Sequence, residues 1–278
     1  MSDNQKTLNS SIEFTGVGLH TGEDVHMVIE PAKINHGVKF QRIDLENQPI
    51  LPADINLVTD TQRSTTLEKD NVKIVTVEHL MSALYALGVN NVLIKLDSSE
   101  VPILDGSAKY FVEEIQKVGL KVQDAPLKYI DLPNPIHYTD PDSGSEILFV
   151  PTNTFIISVV LDYQNHALGT QYAEIRDLKN YPTEIAPCKT FVFLTELEKL
   201  SKANLIKGGE LENAIVVVDR EDINPSEIKK LAHLLGKDDL DIQINGNILN
   251  NCEMQFHNEP ARHKLLDVIG DLALIGMP

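Results

Sequence analysis

The chain contains the same order of predicted elements twice, with paired strand-like runs first and an apolar helix late. In the first half, apolar and polar residues alternate from Val25 to Ile29, which is typical of a half-buried strand. Pro31 and Gly37 predict a turn from this strand to a second one paired with it. In the second half, SEILFVPTNTFIISVVLDY predicts another pair of strands. We interpret the repeated order as an internal duplication that gives two similar βα domains, and therefore an α+β fold.

Three helices and one domain boundary follow from local patterns. The helical stretches are VEHLMSALYALG, GSAKYFVEEIQKVG with Gly119 as its stop signal, and the final ARHKLLDVIGDLALIG. QDAPLKYIDLPNP has three prolines in a short polar stretch and predicts the boundary between domains 1–124 and 125–278. Residues 188–219 are interpreted as a βαβ insert in the second domain. The apolar face of the final helix needs a partner, so we expect one strand and one helix to follow Pro278.

Composition limits the classes of function. A content of 42% apolar residues in 278 supports a sizeable core, and no run is long enough to span a bilayer. A net charge of −17 argues against nucleic-acid binding, and an anionic substrate would need a local basic pocket. Cys188 and Cys252 form no disulfide framework, so we expect a reducing, cytoplasmic location.

A set of metal-ligating residue types lies on two predicted helices. His263 and Asp267 are four residues apart on the final helix, a spacing that lets both reach one ion. Alone, such a pair is more often an exposed polar pair, and Glu78 and His79 at a helix start also have ordinary structural roles. Together, two imidazoles and one carboxylate form the ligand set of a catalytic zinc site. The same trio fits non-haem iron enzymes, so the ligands leave the metal undecided.

Seven stretches of the chain carry a resemblance to a known family. They are GVGLHTG (16–22), RSTTL (63–67), TVEHLMSALYALGVNNV (76–92), VPILDGSAKYF (101–111), KTFVF (189–193), IKGGELENAIV (206–216) and NEPARHKLLDVIGDL (258–272). In these stretches and in their order, the chain resembles the UDP-3-O-acyl-N-acetylglucosamine deacetylases, zinc amidases of lipid A synthesis. The resemblance implies a layered sandwich of two βα domains with the helices packed between the sheets.

The resemblance also implies roles for individual residues. It assigns the Zn²⁺ ligands to His79, His263 and Asp267, the general base to Glu78, and a hydrogen bond to the oxyanion to Thr190. Lys264 matches a basic residue near the substrate. Asp271 matches a carboxylate that orients a catalytic histidine, and this histidine is expected just beyond Pro278. We therefore expect the 278 residues to bind metal better than they turn over substrate.

In the family, the βαβ insert forms a passage for the acyl chain of the substrate. The residues of this chain that match the substrate-binding side are Phe191, Phe193, Glu196, Leu197 and Leu200, with Glu196 toward the nucleotide sugar. The alternative for the apolar members is ordinary core packing, which periodicity does not exclude.

The chain departs from the family pattern in two places. His20 matches a family histidine near the site, but Arg63 replaces the second histidine there, which argues against an additional metal. Residues 220–257 are longer than usual and include SEIKKLAHLLG, which predicts an added surface helix. With this long connection, the chain resembles family members that are fused to a hydroxyacyl-carrier-protein dehydratase. A fused dehydratase domain is therefore a predicted partner.

The sequence thus predicts zinc-dependent hydrolysis of the N-acetyl group of a UDP-linked 3-O-acyl glucosamine. One alternative is an iron-dependent enzyme, which would have no use for Glu78 or Thr190. The other is a fragment that binds an acyl nucleotide without catalysis, because the proton donor lies beyond Pro278. Restoring the segment beyond Pro278 should then recover deacetylation. Unchanged turnover would mean that the proton donor does not lie there.

Overall fold

The structure is a computed structural model that describes residues 3–197, 213–220, 243–249 and 253–277. Its described helices are α1 Glu78–Ala86, α2 Lys109–Val118, α3 Tyr181–Glu184 and α4 Glu259–Ala273, with 3₁₀ turns at Ile55–Leu57 and Leu178–Asn180. The three helices predicted from periodicity are confirmed as α1, α2 and α4. Gly119 ends α2 with φ +71°, a conformation that glycine adopts without strain. The added helix predicted at SEIKKLAHLLG lies outside the described residues.

The first half is built mainly on one five-stranded sheet. Its strands are β1 Asn4–Leu8, β2 Ile12–Val17, β3 Asp24–Pro31, β4 Val38–Arg42, β5 Ile50–Pro52, β6 Val58–Asp60, β7 Thr66–Lys69, β8 Val72–Ile74, β9 Val92–Leu96 and β10 Leu120–Pro126. The large sheet has the order β2-β3-β9-β4-β5, while β6-β7-β8 form a small sheet and β1 pairs with β10. Mixed helices and sheets confirm the α+β class.

Both predicted strand pairs are wrong. β3 and β4 do not pair, because β9 lies between them, antiparallel to β3 and parallel to β4. In the second half, the runs on either side of Pro151 pair with other strands. Turn residues predict where a chain changes direction, but the neighbour of each strand in the sheet depends on contacts distant in sequence.

The second half contains two hairpins and a small mixed sheet. Its described strands are β11 Ile136–Thr139, β12 Glu146–Phe149, β13 Ile157–Asp162, β14 Thr170–Ile175, β15 Phe191–Phe193, β16 Ile215–Val217, β17 Ile244–Asn245 and β18 Ile248–Leu249. β11 pairs with β12 and β13 pairs with β14, both antiparallel. β15 and β16 are parallel, as a βαβ insert requires. β10 pairs with β1 as far as Pro126, two residues beyond the predicted boundary; the division into two domains stays a prediction.

The two halves meet where α1 packs against α4, and α4 also contacts β13 and β14. Leu80 and Leu84 of α1 and Leu265 and Ile269 of α4 are at most 1% exposed and belong to one continuous core. Full burial of such side chains contributes about 1.5–3 kcal/mol each. The core therefore fixes the two helices that carry the candidate metal ligands.

No helix within the described ranges has the length and apolar character needed to cross a membrane.

Candidate metal centre

The α1–α4 contact brings three metal-ligating side chains together. One ligand atom from each of His79, His263 and Asp267 lies within 4.8 Å of the other two. Asp267 Oδ1 is 3.4 Å from His263 Nε2 and 4.0 Å from His79 Nε2. The imidazole rings meet edge to face, with centroids 4.9 Å apart. Residues 184 positions apart in the chain thus surround one point.

Burial keeps both imidazoles neutral, which is the form that binds metal. His79 and His263 are 4% and 2% exposed. Burial and the neighbouring His263 lower the pKa of His79 to about 3, and burial also lowers the pKa of His263. His263 Nδ1 lies 2.9 Å from the Cys188 carbonyl oxygen. Because a carbonyl only accepts, Nδ1 carries the proton, and Nε2 offers its lone pair to the cluster.

Asp267 is the third ligand candidate. Burial alone would raise the pKa of Asp267, but Lys264, His263 and His79 together outweigh burial and lower it, so the carboxylate is ionised. Lys264 Nζ donates to Asp267 Oδ2 at 2.8 Å. Among the described residues, the buried Oδ1 has no hydrogen-bond partner. Burying an ionised oxygen without a partner is unfavourable, and a cation bound between this oxygen and the two imidazole nitrogens would offset that cost.

The donor set fits zinc. Two neutral imidazoles and one carboxylate are a catalytic zinc set. Ligand bonds of about 2.0–2.1 Å in a tetrahedral site place ligand atoms about 3.3 Å apart, close to the 3.4 Å separation of the α4 pair. The His79 Nε2 atom lies 4.0 Å from Asp267 Oδ1 and needs to approach it by about 0.7 Å.

A second carboxyl group, Glu78, lies beside the cluster at the start of α1. It is 6% exposed, and burial together with Asp267 raises its pKa to about 8. The Thr65 amide donates to Glu78 Oε2 at 2.9 Å, and the Thr65 hydroxyl donates to Asp271 Oδ1 at 2.6 Å. Thr65 therefore connects the predicted base to the predicted orienting carboxylate, on one side of the metal ligands.

Thr190 lies directly before β15, in a segment that is held on both sides. Its amide donates to the Gly106 carbonyl at 2.8 Å, and its carbonyl accepts from the Ile215 amide at 2.8 Å. It is two residues from Cys188, whose carbonyl accepts from His263. The backbone of Thr190 is thus held by Gly106 and by β16, close in sequence to the Cys188 carbonyl, and its hydroxyl role stays a prediction.

Two of the predicted substrate residues form an aromatic cluster with a third ring. Phe191 and Phe193 have ring centroids 6.2 Å apart, and Tyr163 lies 6.0 Å and 5.2 Å from them. All three contacts are edge to face or nearly so, a favourable geometry. Tyr163 was not predicted, because a single tyrosine at the end of a strand-like run gives no signal of its own.

Glu196 forms an ion pair with Arg63. The two side chains are 38% and 35% exposed, so each remains accessible to solvent. Burial lowers the pKa of Arg63. The pair joins the RSTTL segment of the first half to the insert of the second half.

The remaining insert residues have different positions. Leu197 is 5% exposed within a small apolar cluster that includes Val192, Val216 and Leu249. Such packing is what an ordinary core residue shows, and a substrate contact for Leu197 stays a prediction. Leu200 lies outside the described residues.

Comparison with known proteins identifies the family. The family model for UDP-3-O-acyl N-acetylglycosamine deacetylase matches residues 5–232 and 236–278. The chain belongs to this family.

Curated relatives of this deacetylase family carry two kinds of name. A bifunctional enzyme LpxC/FabZ of Bacteroides thetaiotaomicron is 46% identical over 99% of this chain and 59% of its own length. UDP-3-O-acyl-N-acetylglucosamine deacetylases of Thermosynechococcus vestitus and Hahella chejuensis are 36% and 38% identical, over 99% and 98% of this chain and 86% and 82% of their own lengths. The chain spans about three fifths of the length of the bifunctional relatives that it matches.

The structure adds polar groups of this deacetylase-family chain that sequence reasoning missed. Thr65 lies in the quoted RSTTL stretch but was given no role. The Cys188 carbonyl is a backbone group, which a side-chain pattern does not reveal. Glu259 lies in the NEPARHK stretch, and its carboxylate is buried at the start of α4. A carboxylate at a helix start is ordinarily explained by the helix dipole, so the residue type of Glu259 did not indicate a role at the site.

Proposed function

We propose that the chain is a zinc-dependent amidohydrolase that removes the N-acetyl group from UDP-3-O-(3-hydroxyacyl)-N-acetylglucosamine, the committed step of lipid A biosynthesis. The convergence of His79, His263 and Asp267 beside the buried Glu78 is the observation that carries this proposal. Family membership and the names of the deacetylase relatives support the choice of substrate.

His79, His263 and Asp267 would hold the Zn²⁺ ion. When bound, zinc would supply a Lewis acid that polarises the acetamide carbonyl and makes water more acidic. The neutral imidazoles and the ionised Asp267 are already in the protonation states that binding needs. The Cys188 carbonyl keeps the ring of His263 in the required tautomer.

Glu78 would take the proton from the attacking water. Burial and Asp267 raise its pKa to about 8 in the metal-free protein, which makes its ionised form a stronger base than an ordinary glutamate. The Thr65 amide keeps the carboxyl group in one orientation. Thr190 would donate its hydroxyl to the oxyanion that forms on the acetamide carbonyl.

Lys264, Glu196 and the rings of Phe191 and Phe193 would contact the substrate. Lys264 is paired with Asp267 and Glu196 with Arg63, so each charged group is held at a defined position. The two rings and Tyr163 offer an apolar edge for the acyl chain or the uracil. Asp271 would orient the catalytic histidine predicted from the resemblance.

Two proposals concern the protein as a whole. The names of the bifunctional relatives support a fused dehydratase domain as a partner. We also propose that the protein is cytoplasmic. Reading the coding sequence beyond residue 278 tests the first, and fractionation of cells tests the second.

The decisive experiment compares wild type with Glu78→Gln in the full-length protein. Zinc content is measured by mass spectrometry after mild purification, and acetate release is measured with the UDP-linked substrate. We expect one zinc per chain in both, and at least a 100-fold lower rate in the variant, as loss of a general base gives. Iron as the bound metal would favour the alternative of an iron-dependent enzyme. Substrate binding with no acetate release by wild type would favour a non-catalytic binder.

A further inference from the structure

Glu259 is the first residue of α4, and its burial is unusual for that position. A carboxylate in the first turn is favoured by the helix dipole and normally stays in contact with water. Glu259 is only 1% exposed. A buried carboxylate requires hydrogen bonds from its surroundings, so the groups that satisfy it must be held in place.

Three backbone amides satisfy this carboxylate. Oε2 accepts from Gln255 at 2.6 Å and Phe256 at 3.4 Å, which closes the turn that precedes α4. Oε1 accepts from the Lys189 amide at 2.9 Å, 70 residues earlier in the chain. The first two bonds are local, but the third joins α4 to the segment before β15.

The Lys189 amide belongs to the same peptide group as the Cys188 carbonyl. A peptide group is planar, and its N–H and C=O point in opposite directions. Glu259 accepts from the N–H of this peptide, and His263 Nδ1 donates to its C=O at 2.9 Å. The peptide is therefore held at both ends by α4, from two residues one helical turn apart on the same face.

This arrangement resembles the carboxylate–histidine–metal chains of known metal sites, with a peptide inserted between carboxylate and imidazole. The carboxylate fixes the plane of the peptide, and the plane fixes the direction of the carbonyl. The carbonyl then fixes the ring of His263. A charged acceptor on the N–H also polarises the peptide, which makes the carbonyl a stronger acceptor.

We propose that Glu259 is a positioning residue of the metal centre, which acts through the Cys188–Lys189 peptide to aim His263 Nε2 at the ion. The inference rests on the proposed function, because it takes zinc as that ion. It predicts that Glu259 determines metal affinity, beyond any contribution it makes to folding.

The test is the zinc affinity of the Glu259→Gln variant of the full-length protein. Glutamine has the same shape but only one acceptor oxygen, and its NH₂ group would face an N–H donor. We expect zinc to bind about 10–100-fold more weakly, the usual effect of losing such a partner. Affinity is measured by competition with a chromogenic chelator, and melting temperature is recorded in parallel without metal.

Asn91→Asp is the matched control. Asn91 is 2% exposed and lies in the first half, where its Nδ2 donates to Gln5 and Gln123 at 2.9 and 2.8 Å. The change is also isosteric and also disrupts buried hydrogen bonds, but it does not touch α4. We expect a lower melting temperature and a zinc affinity within about twofold of wild type.

Cobalt gives a second measurement that a purely structural role would not change. The visible absorption of bound Co²⁺ depends on ligand geometry, so Glu259→Gln should shift the bands while Asn91→Asp should not. Glu259→Asp, which keeps the charge but is shorter, should bind zinc with intermediate affinity.

The outcomes separate the two proposals. If wild type binds no zinc, the proposed function and the inference both fail. If wild type binds zinc and Glu259→Gln binds it equally well, with unchanged cobalt bands, only the inference fails. If both Glu259 variants are unfolded while Asn91→Asp is folded, Glu259 is a residue of the fold and its assigned role is wrong.

Discussion

At the residue scale, Thr65 holds two carboxyl groups whose burial is unfavourable. Its amide donates to Glu78 and its hydroxyl to Asp271. Burial raises the pKa of Glu78 to about 8 and that of Asp271 to about 6. A carboxyl group with a raised pKa destabilises the fold once it ionises. The site therefore keeps two carboxyl groups that have roles in the proposed function and that stability alone would not favour.

Asp271→Asn should stabilise the metal-free protein at alkaline pH. Although Asp271 as a residue is exposed, burial of its carboxyl raises the pKa from 3.8 to about 6. The Asp271 carboxyl therefore contributes most to the stability of the fold below pH 3.8, and this contribution is lost as the pH rises through about 6. We expect the variant to melt above wild type at pH 8, with the difference disappearing toward pH 4.

Calorimetry in chelator, with Asp140→Asn as control, measures this effect. The hydrogen bonds from Ser143 lower the pKa of Asp140, so the control should gain nothing at pH 8. A variant at 271 that melts below wild type at pH 8 would contradict the assigned cause.

Thr190→Val tests the proposed hydrogen bond to the oxyanion. The change keeps the shape of the side chain and removes its hydroxyl, and one such donor is worth about 100–1,000-fold in kcat. We expect that loss in the full-length protein, with zinc content unchanged. Thr190→Ser, which keeps a hydroxyl, should retain most of kcat. Equal rates for the valine and serine variants would exclude the role.

At the element scale, the helices were predictable and the pairing of strands was not. α1, α2 and α4 follow from residues within one window, because helix formation and its stop signals are local. β9 enters the sheet between β3 and β4, and no residue of the intervening turn signals this. Strand neighbours depend on the whole chain, so a local pattern finds strands without their order.

Gly270 shows how closely the two helices approach at the site. A Cβ built there would overlap the Glu78 carbonyl group, at 2.8 Å from its carbon. Alanine would gain about 1 kcal/mol in helix propensity, but overpacking in a rigid core costs about 1–3 kcal/mol. We expect Gly270→Ala to be destabilised and to bind zinc more weakly, because the helices separate where His79 must meet Asp267.

Gln116→Ala on the exposed face of α2 is the control for this prediction. It should leave the free energy of unfolding within about 0.5 kcal/mol and zinc affinity unchanged. Denaturant unfolding and chelator competition measure the two quantities. A Gly270→Ala protein with wild-type zinc affinity would show that the helices can adjust without moving the ligands.

At the scale of the whole molecule, the candidate centre is assembled only when both halves are folded. Glu78 and His79 come from α1, whereas His263 and Asp267 come from α4. Their residue types and spacings suggested a metal set, and the resemblance assigned their roles. Neither could reveal the Cys188–Lys189 peptide or Thr65, because those contacts join segments that are distant in sequence and involve backbone groups.

Zinc should therefore stabilise the whole chain and not one half. An ion that binds only the folded state adds about 2.7 kcal/mol at 100 times its Kd, and in a domain of this size about 1 kcal/mol raises the melting temperature by roughly 2–4 °C. With zinc at 100 times its Kd, we expect the melting temperature of the metal-stripped protein to rise by about 5–10 °C, in a single transition. His263→Ala should lose the response while keeping its fold in chelator, and magnesium should not replace zinc because the site has too few oxygen ligands. Two separate transitions, of which only one moves with zinc, would mean that the ion does not join the halves.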